Sequence, residues 1–245
     1  MKQTVLITGA CGGIGSALCD VFSAAGYAVI GIDKSVPESF PHTVIPFDLQ
    51  QVAQSESSAD KISGMVLERS GNRLDVLINN AAVQIIKPCD KLTRIDWAST
   101  LDINLLAPFW LTTLFLPELK AAKGSVVNIG SIHAKLTKRQ FVAYATSKGA
   151  LKTMTRAMAL DLAPDVRVNA IEPAATNTPM LRAGFEVNPE GFEKLEYFHP
   201  LGRIAAPEEI GHLALFLAGQ NASFITGAIL PLDGGIGGCL SDPAR

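Results

Sequence analysis

Thr8-Gly9-Ala10-Cys11-Gly12-Gly13-Ile14-Gly15 closes an apolar run that begins at Thr4 and opens a helical pattern over residues 13–25. A buried strand that feeds a glycine-rich turn and then a helix is the first unit of a nucleotide-binding α/β fold. Glycines let the backbone turn sharply and approach a pyrophosphate closely. The helix behind them points unpaired N–H groups and the positive end of its dipole at the phosphates. A glycine-rich stretch alone also reads as a plain tight turn. The strand before it and the helix after it carry the nucleotide reading.

The next apolar run, residues 28–33, ends in Asp33, 18 residues beyond Gly15. That is close to the interval at which an acid meets the adenosine ribose. A carboxylate there accepts hydrogen bonds from both ribose hydroxyls and repels a 2′-phosphate. No Arg or Lys stands in the glycine turn to offset the repulsion, so NAD is expected in preference to NADP. Lys34 is the one neighbouring cation placed to pair with a phosphate. The bland reading of Asp33 is a strand-end turn residue.

Outward from this unit, short apolar runs alternate with longer helical patterns. Residues 4–8, 28–33, 43–46, 74–79, 125–129, 166–171 and 228–232 read as strands. Residues 13–25, 52–69, 94–101, 104–122, 142–162 and 207–218 read as helices. The strands are nearly all apolar, as expected when both faces of a parallel sheet are covered by helices. The expected fold is a Rossmann-like, doubly wound α/β sheet in a single domain over residues 1–245. Residues 173–207 stand apart, with five prolines and no clear period. A loop of that length inside a compact domain is usually functional, and residues 174–206 are expected to form a lid over the substrate.

Composition excludes several classes. The chain has 245 residues, 48% hydrophobic and 18% charged, enough to bury a sizeable core and unlike a disordered or disulfide-stapled chain. Lys plus Arg number 21 and Asp plus Glu 23, so no basic surplus marks a nucleic-acid partner. No apolar run reaches the roughly 18 residues of a membrane helix, and the most apolar segment, residues 105–116, is interrupted by Pro108. Met1-Lys2 followed by Val5-Leu6-Ile7 imitates a secretion signal but breaks at Gly9. Cys11, Cys19, Cys89 and Cys239 are scattered with no C-x-x-C pair, so no metal site is expected. Free thiols in a reducing cytoplasmic setting are the default.

The T-G-x-x-x-G-x-G spacing of residues 8–15 resembles the short-chain dehydrogenase/reductase family, in its single-domain branch. Further motifs in order support the resemblance. They are Asp48-Leu49, Asn79-Asn80-Ala81-Ala82, Pro173 with Thr178, Pro207-Glu208-Glu209-Ile210 and Asp233-Gly234-Gly235. The resemblance implies a nicotinamide dinucleotide held by Gly9, Cys11, Gly12, Gly13, Ile14 and Gly15 in the turn. Asp33, Lys34, Asp48 and Leu49 would border its adenosine, and Asn80, Ala81 and Ala82 would follow the fourth strand. Pro173, Thr176 and Thr178 would lie near the nicotinamide. Ala82 and Ala174 stand where the family usually has glycine, and each adds one methyl.

Tyr144 and Lys148 lie four apart and share one face of the expected helix. Ser131 follows the fifth strand and Asn104 lies in the helix before it. The resemblance implies that Asn104, Ser131, Tyr144 and Lys148 form the catalytic tetrad, with Tyr144 and Lys148 also beside the cofactor. Oxidation of an alcohol needs a base, and free Tyr, with a pKa of about 10, ionises too late. A neighbouring cation such as Lys148 favours the phenolate. Ser131 is suited to hold the substrate oxygen, and the resemblance has Asn104 order a water for proton relay. A packed Tyr, a solvated Lys and a capping Ser are the bland alternatives. His133 reads either as a substrate-facing group or as a surface residue. Cys11 reads either as a thiol activated at a helix N-terminus or as a small residue that fits.

The leading expectation is an NAD-dependent oxidoreductase interconverting a secondary alcohol and a ketone. A 3-oxoacyl-thioester reductase and a non-catalytic NAD-binding sensor are the competing readings. The partner is a small-molecule substrate. The helices over residues 104–122 and 142–162 look apolar on more than one face, through Leu105, Phe109, Leu114, Phe115, Met154, Met158 and Leu162, and the resemblance implies that these helices pair between subunits, so a homotetramer is expected. Lys135, Lys138 and Arg139, which the resemblance places at the pocket mouth, read as an anion lure or as a solvated loop. Phe185, Phe192, Tyr197 and Phe198 are expected either to exclude water over the substrate or simply to pack.

Overall fold

The computed structural model describes residues 2–186 and 189–239. Met1 of the signal-like start and residues 187 and 188 of the expected lid lie outside the described residues. Seven strands form one all-parallel sheet: β1 (Thr4–Thr8), β2 (Ala28–Asp33), β3 (Thr43–Pro46), β4 (Val76–Asn79), β5 (Ser125–Ile129), β6 (Arg167–Pro173) and β7 (Ile229–Leu232). Their spatial order is β3-β2-β1-β4-β5-β6-β7. The chain therefore winds outward one way from β1, returns to place β4 beside β1, and winds the other way. The crevice for a ligand in such a sheet lies at that reversal, beyond the carboxyl ends of the strands. The glycine turn after β1 and the Asn79-Asn80 pair at the end of β4 flank it.

Both faces are covered, which explains why the strands lack alternation. On one face Leu6, Leu77, Val126 and Val168 pack with Ile62, Val66, Leu111, Phe115 and Met158. On the other, Val5, Ile7, Ile78, Val127 and Ile171 pack with Leu18, Phe22, Ile210, Ala214 and Leu217. The helices contributing these residues include α1 (Gly13–Ala24), α3 (Glu56–Ser70), α5 (Ala107–Leu114), α7 (Val142–Leu162) and α10 (Pro207–Ala218).

Several expected elements are subdivided. The helix over 52–69 is two, α2 (Gln50–Gln54) and α3, separated at Ser55, which is extended and caps α3 by accepting the Ser58 N–H. The helix over 104–122 begins with a π turn, Asp102–Leu106, that continues α4 (Arg94–Leu101) into α5, and α6 (Leu116–Ala121) follows after a break at Phe115. Pro108 and Pro117 sit in the first turns of α5 and α6. The fourth strand starts at Val76, because the Asp75 side chain is spent on the Thr4 N–H and on Arg73. The expected long loop holds two helices, α8 (Pro179–Ala183), capped by Thr178, and α9 (Pro189–Tyr197). Proline at a helix start, which read as loop punctuation, here serves as an N-terminal residue.

Candidate active site

The glycine turn is built largely by protein contacts. Gly9 is left-handed at φ +64, and a Cβ there would come within 2.9 Å of Ala81 Cα. A Cβ on Gly15 would overlap the Gly9 carbonyl oxygen, and one on Gly13 would lie 2.8 Å from Thr178 Cγ2. Only at Gly12, of these four, would an added Cβ meet nothing closer than ordinary contact, 3.4 Å from Gly9 O. So Gly9, Gly13 and Gly15 let backbone segments of the chain meet, and Gly12 leaves the open face. Asn80 locks the turn from the β4 side. Its backbone N–H donates to Thr8 Oγ1 at 3.0 Å, and its amide donates to the carbonyls of Thr8 and Gly9 at 2.9 and 3.1 Å.

The start of α1 has no side-chain cap and no acid in its first turn. Uncapped N–H groups with the positive dipole end suit an anionic group. Asp33 Oδ2 accepts the Cys11 N–H at 2.9 Å, and Oδ1 accepts the Ser35 N–H at 3.2 Å, so the carboxylate is fixed against the turn. Lys34 is paired with Asp48 at 2.8 Å on the surface, and that ammonium helps hold the Asp48 carboxyl below its usual range against the opposing effect of desolvation. Leu49 is buried in the core and Ile14 packs against the opposite cluster. The donor set and the cradle fit a dinucleotide.

The activated-thiol reading of Cys11 is corrected: burial and then the neighbouring Asp33 charge push the thiol up. Neither Ala82 nor Ala174 takes a positive φ, so the extra methyl costs the backbone nothing. Ala174 donates its N–H to Leu232 O at 3.1 Å. Thr176 bridges to Ala205, and Thr178 both caps α8 and touches the glycine turn.

The four expected catalytic residues converge beyond the ends of β4 and β5. Lys148 is 2% exposed and its ammonium donates to Ile129 O at 2.8 Å. The same nitrogen lies 5.8 Å from the centre of the Tyr144 ring. Desolvation lowers the Lys148 pKa to about 8. Burial pushes the Tyr144 phenol up, and a hydrogen bond with Ser131 works against that rise. In the chain by itself burial thus outweighs the depression expected from Lys148. Asn104, fully buried in the π turn, accepts the Val83 N–H at 2.8 Å and donates to Val83 O and Ser147 Oγ at 2.9 and 3.0 Å. Its amide ties the π turn to the segment after β4 and to α7.

One wall of the site was only partly legible in the sequence. His133 stacks on Phe141 at 4.5 Å and meets Tyr144 edge-on at 5.7 Å. Burial, then the Lys138 charge, lowers the His133 pKa. The three cations after Ser131 diverge. Lys135 donates to Gly237 O, Lys138 lies 4.7 Å over the Phe141 ring, and Arg139 is exposed. In the expected lid segment Phe185 and Phe192 pack together, whereas Tyr197 and Phe198 are 85% and 64% exposed. Phe115 and Met158 are buried in the chain's own core, and the outward apolar residues on these helices are Leu106, Trp110, Val142 and Leu160. The four cysteines are free, and no cluster of potential metal ligands occurs among the described residues. Nor is any described helix long and apolar enough to cross a membrane.

A family model described as enoyl-(acyl carrier protein) reductase matches residues 9–237. The trans-4-hydroxycyclohexanecarboxylate dehydrogenase of Sinomonas cyclohexanicum is 34% identical over 96% of this chain and 92% of its own. The ligand-free aldohexose dehydrogenase of Thermoplasma acidophilum superposes with a TM-score of 0.92 at 30% identity, covering 99% of this chain and 97% of the other. The 3-ketoacyl-(acyl-carrier-protein) reductase of Brucella melitensis, solved with NADH, superposes with a TM-score of 0.84 at 26% identity, covering 96% and 98%.

Proposed function

The chain belongs to the short-chain dehydrogenase/reductase family, and from that premise we propose that it interconverts a secondary alcohol and a ketone with NAD(H), using Tyr144 as general acid and base. The observation that carries the reading is the meeting of Tyr144, Ser131 and Lys148 at the mouth of a parallel sheet whose first helix starts uncapped. When bound, the nicotinamide supplies the hydride acceptor or donor and, oxidised, one positive charge. The N–H groups at the start of α1 would hold the pyrophosphate, Asp33 the ribose, and residues 173–178 the nicotinamide end.

In the oxidising direction Tyr144 Oη takes the hydroxyl proton of the substrate, and in the reducing direction it returns that proton to the carbonyl oxygen. Ser131 Oγ holds the same oxygen in line. The Lys148 ammonium, anchored on Ile129 O, stabilises the phenolate. Asn104 positions the helix and Ser147 rather than touching the reacting atoms.

Asp33 favours NAD, because two backbone N–H donors hold its carboxylate where a 2′-phosphate would arrive, and Lys34 is engaged by Asp48. Residues 174–206, with α8 and α9, are the segment that selects the substrate. The free thiols suit a reducing compartment such as the cytoplasm. Leu106, Trp110 and Leu160 supply apolar area for a homotetramer.

A panel of sugars, polyols, hydroxy acids, cyclic alcohols, steroids and 3-oxoacyl thioesters, followed by nicotinamide absorbance with NAD and NADP, tests the proposal. Turnover of a secondary alcohol with NAD is expected. Tyr144→Phe should retain cofactor binding and lose turnover by about 10²–10⁴-fold. Near-normal turnover in that variant would overturn the assignment. Light scattering that gave a monomer mass at micromolar concentration would overturn the tetramer.

A further inference from the structure

We propose that the half-buried ion pair between Lys152 and Glu172 is a positioning pair that sets the pH range over which Tyr144 and Lys148 work. Lys152 Nζ lies 3.1 Å from Glu172 Oε2, and the two side chains are 22% and 8% exposed. Tyr144, Lys148 and Lys152 follow one another at four-residue spacing on α7, so they share a face. Glu172 stands on β6 directly before Pro173. The inference rests on the reading of Tyr144 as the proton-transferring group.

The pair abuts the reacting end of the site through Gly130. A Cβ on Gly130 would lie 3.1 Å from Glu172 Cγ and 3.1 Å from Ile171 O. Glycine at that position therefore makes room for the glutamate side chain. Gly130 joins Ile129, whose carbonyl holds the Lys148 ammonium, to Ser131. Glu172 Oε1 has no hydrogen-bond partner among the described residues.

Stability does not account for such a pair. A carboxylate nearly out of water with one oxygen unsatisfied costs free energy, and apolar replacements of buried pairs are often neutral or stabilising. The effect on neighbouring charge is a different matter. The groups facing this part of α7 are few. His133 comes from the segment after β5. On α4, Asp96 is closed on Lys87 at 2.8 Å and Arg94 is exposed. In the π turn, Asp102 accepts from Gln50 and Gln54. Next to Lys148 along that face of α7 stands Lys152, one turn on, and it carries Glu172 with it as its partner. As a pair they nearly cancel. Alone, the Lys152 cation favours the phenolate, and alone, the Glu172 carboxylate opposes it.

The test is the pH dependence of kcat for alcohol oxidation in the full chain with NAD, using the best substrate of the panel. Glu172→Gln leaves an uncompensated cation and should move the rising limb about one pH unit toward acid. Lys152→Met leaves an uncompensated carboxylate and should move it about as far toward alkali. The double variant should return close to the parent profile, and Lys152→Arg should keep it. Should Glu172→Gln not fold, Lys152→Met against Lys152→Arg decides alone: a shift in the first and none in the second supports the pair, and two unshifted profiles overturn it. A merely structural role lowers kcat in every variant without opposite shifts, and that result also overturns the inference. Loss of turnover in Tyr144→Phe with unmoved profiles in the pair variants sinks this inference and leaves the proposed function standing. Retained turnover in Tyr144→Phe sinks both.

Discussion

The floor of the site and its roof are held in opposite ways. On the floor, polar atoms are committed to backbone. Lys148 is fixed on Ile129 O, Asn104 on both polar groups of Val83, and Asn80 on the turn after β1. These side chains hang from strand ends or from helices packed on the sheet, and their burial is what displaces the ionisation of Tyr144 and Lys148. The roof is anchored at its two ends, by Thr178 against the glycine turn and Thr176 beside Ala205, and between them it holds itself by local contacts. Phe185 packs on Phe192, Arg182 lies over that ring, and Tyr197 and Phe198 face solvent. A floor so constrained fixes chemistry, and a roof so lightly held suits adaptation to a substrate. Substitutions below should change kcat, and substitutions above should change KM.

The strongest way to break that contrast is Lys148→Met. Turnover should fall by two orders of magnitude or more, yet the fold should gain stability near neutral pH. The Lys148 pKa is lowered from 10.5 to about 8 in the folded chain. The folded state therefore binds fewer protons than the unfolded state between those values, and parent stability rises with pH across that window. Below about pH 8 the full penalty, on the order of 3 kcal/mol, is present. Loss of the hydrogen bond to Ile129 O returns about 1 kcal/mol. A net gain of about 2 kcal/mol at pH 7, vanishing by about pH 10.5, should appear in urea unfolding. A variant less stable than the parent at pH 7 would show that the floor is held by this lysine instead of strained by it.

Within the cofactor cradle, Asp33→Ala should narrow the preference for NAD over NADP in kcat/KM by about tenfold, equivalent to about 1.4 kcal/mol. Because Asp33 also holds the Cys11 N–H, affinity for NAD should fall as well. An unmodified protein that preferred NADP would refute the assignment of Asp33.

The strands and the glycine turn were legible because burial on both faces leaves only apolar choices, and because strand, turn and helix follow without interruption. The spacing of Tyr144 and Lys148 puts them on one helix face, but their reading as a catalytic couple came from the family resemblance and not from the spacing. What the sequence concealed was pairwise contact. Gly13 meets Thr178, 165 residues away in the chain, so its smallness lets the segment before α8 approach the turn. Nothing local distinguishes it from Gly12. The π turn at Asn104 hides inside a continuous apolar pattern, since one extra residue per turn leaves composition unchanged. Cys11 stands near a helix N-terminus, which suggested a depressed pKa, but burial first, and then the carboxylate of Asp33 arriving from another strand, push the thiol up. Glu172 looked like the residue after an apolar strand. Its partner, Lys152, is visible only once α7 lies over β6.

The smallest effect expected lies at the seam between floor and roof, on Lys138. Of the three cations after Ser131, Lys135 is engaged by Gly237 O and Arg139 is exposed, whereas Lys138 covers the ring on which His133 stacks beside Tyr144. If the substrate carries a carboxylate or phosphate, its KM should rise two- to threefold between about 20 and 150 mM salt, because exposed charges are screened over roughly 8 Å at the higher value. Lys138→Ala should flatten that dependence while leaving kcat within about twofold. It should also let the His133 pKa rise, since the neighbouring cation contributes to its depression, and the imidazole signals in an NMR titration report that shift independently of turnover. A best substrate without charge, a KM flat against salt and an unmoved His133 would together reduce these cations to a solvated edge, and would place substrate choice wholly in the lid.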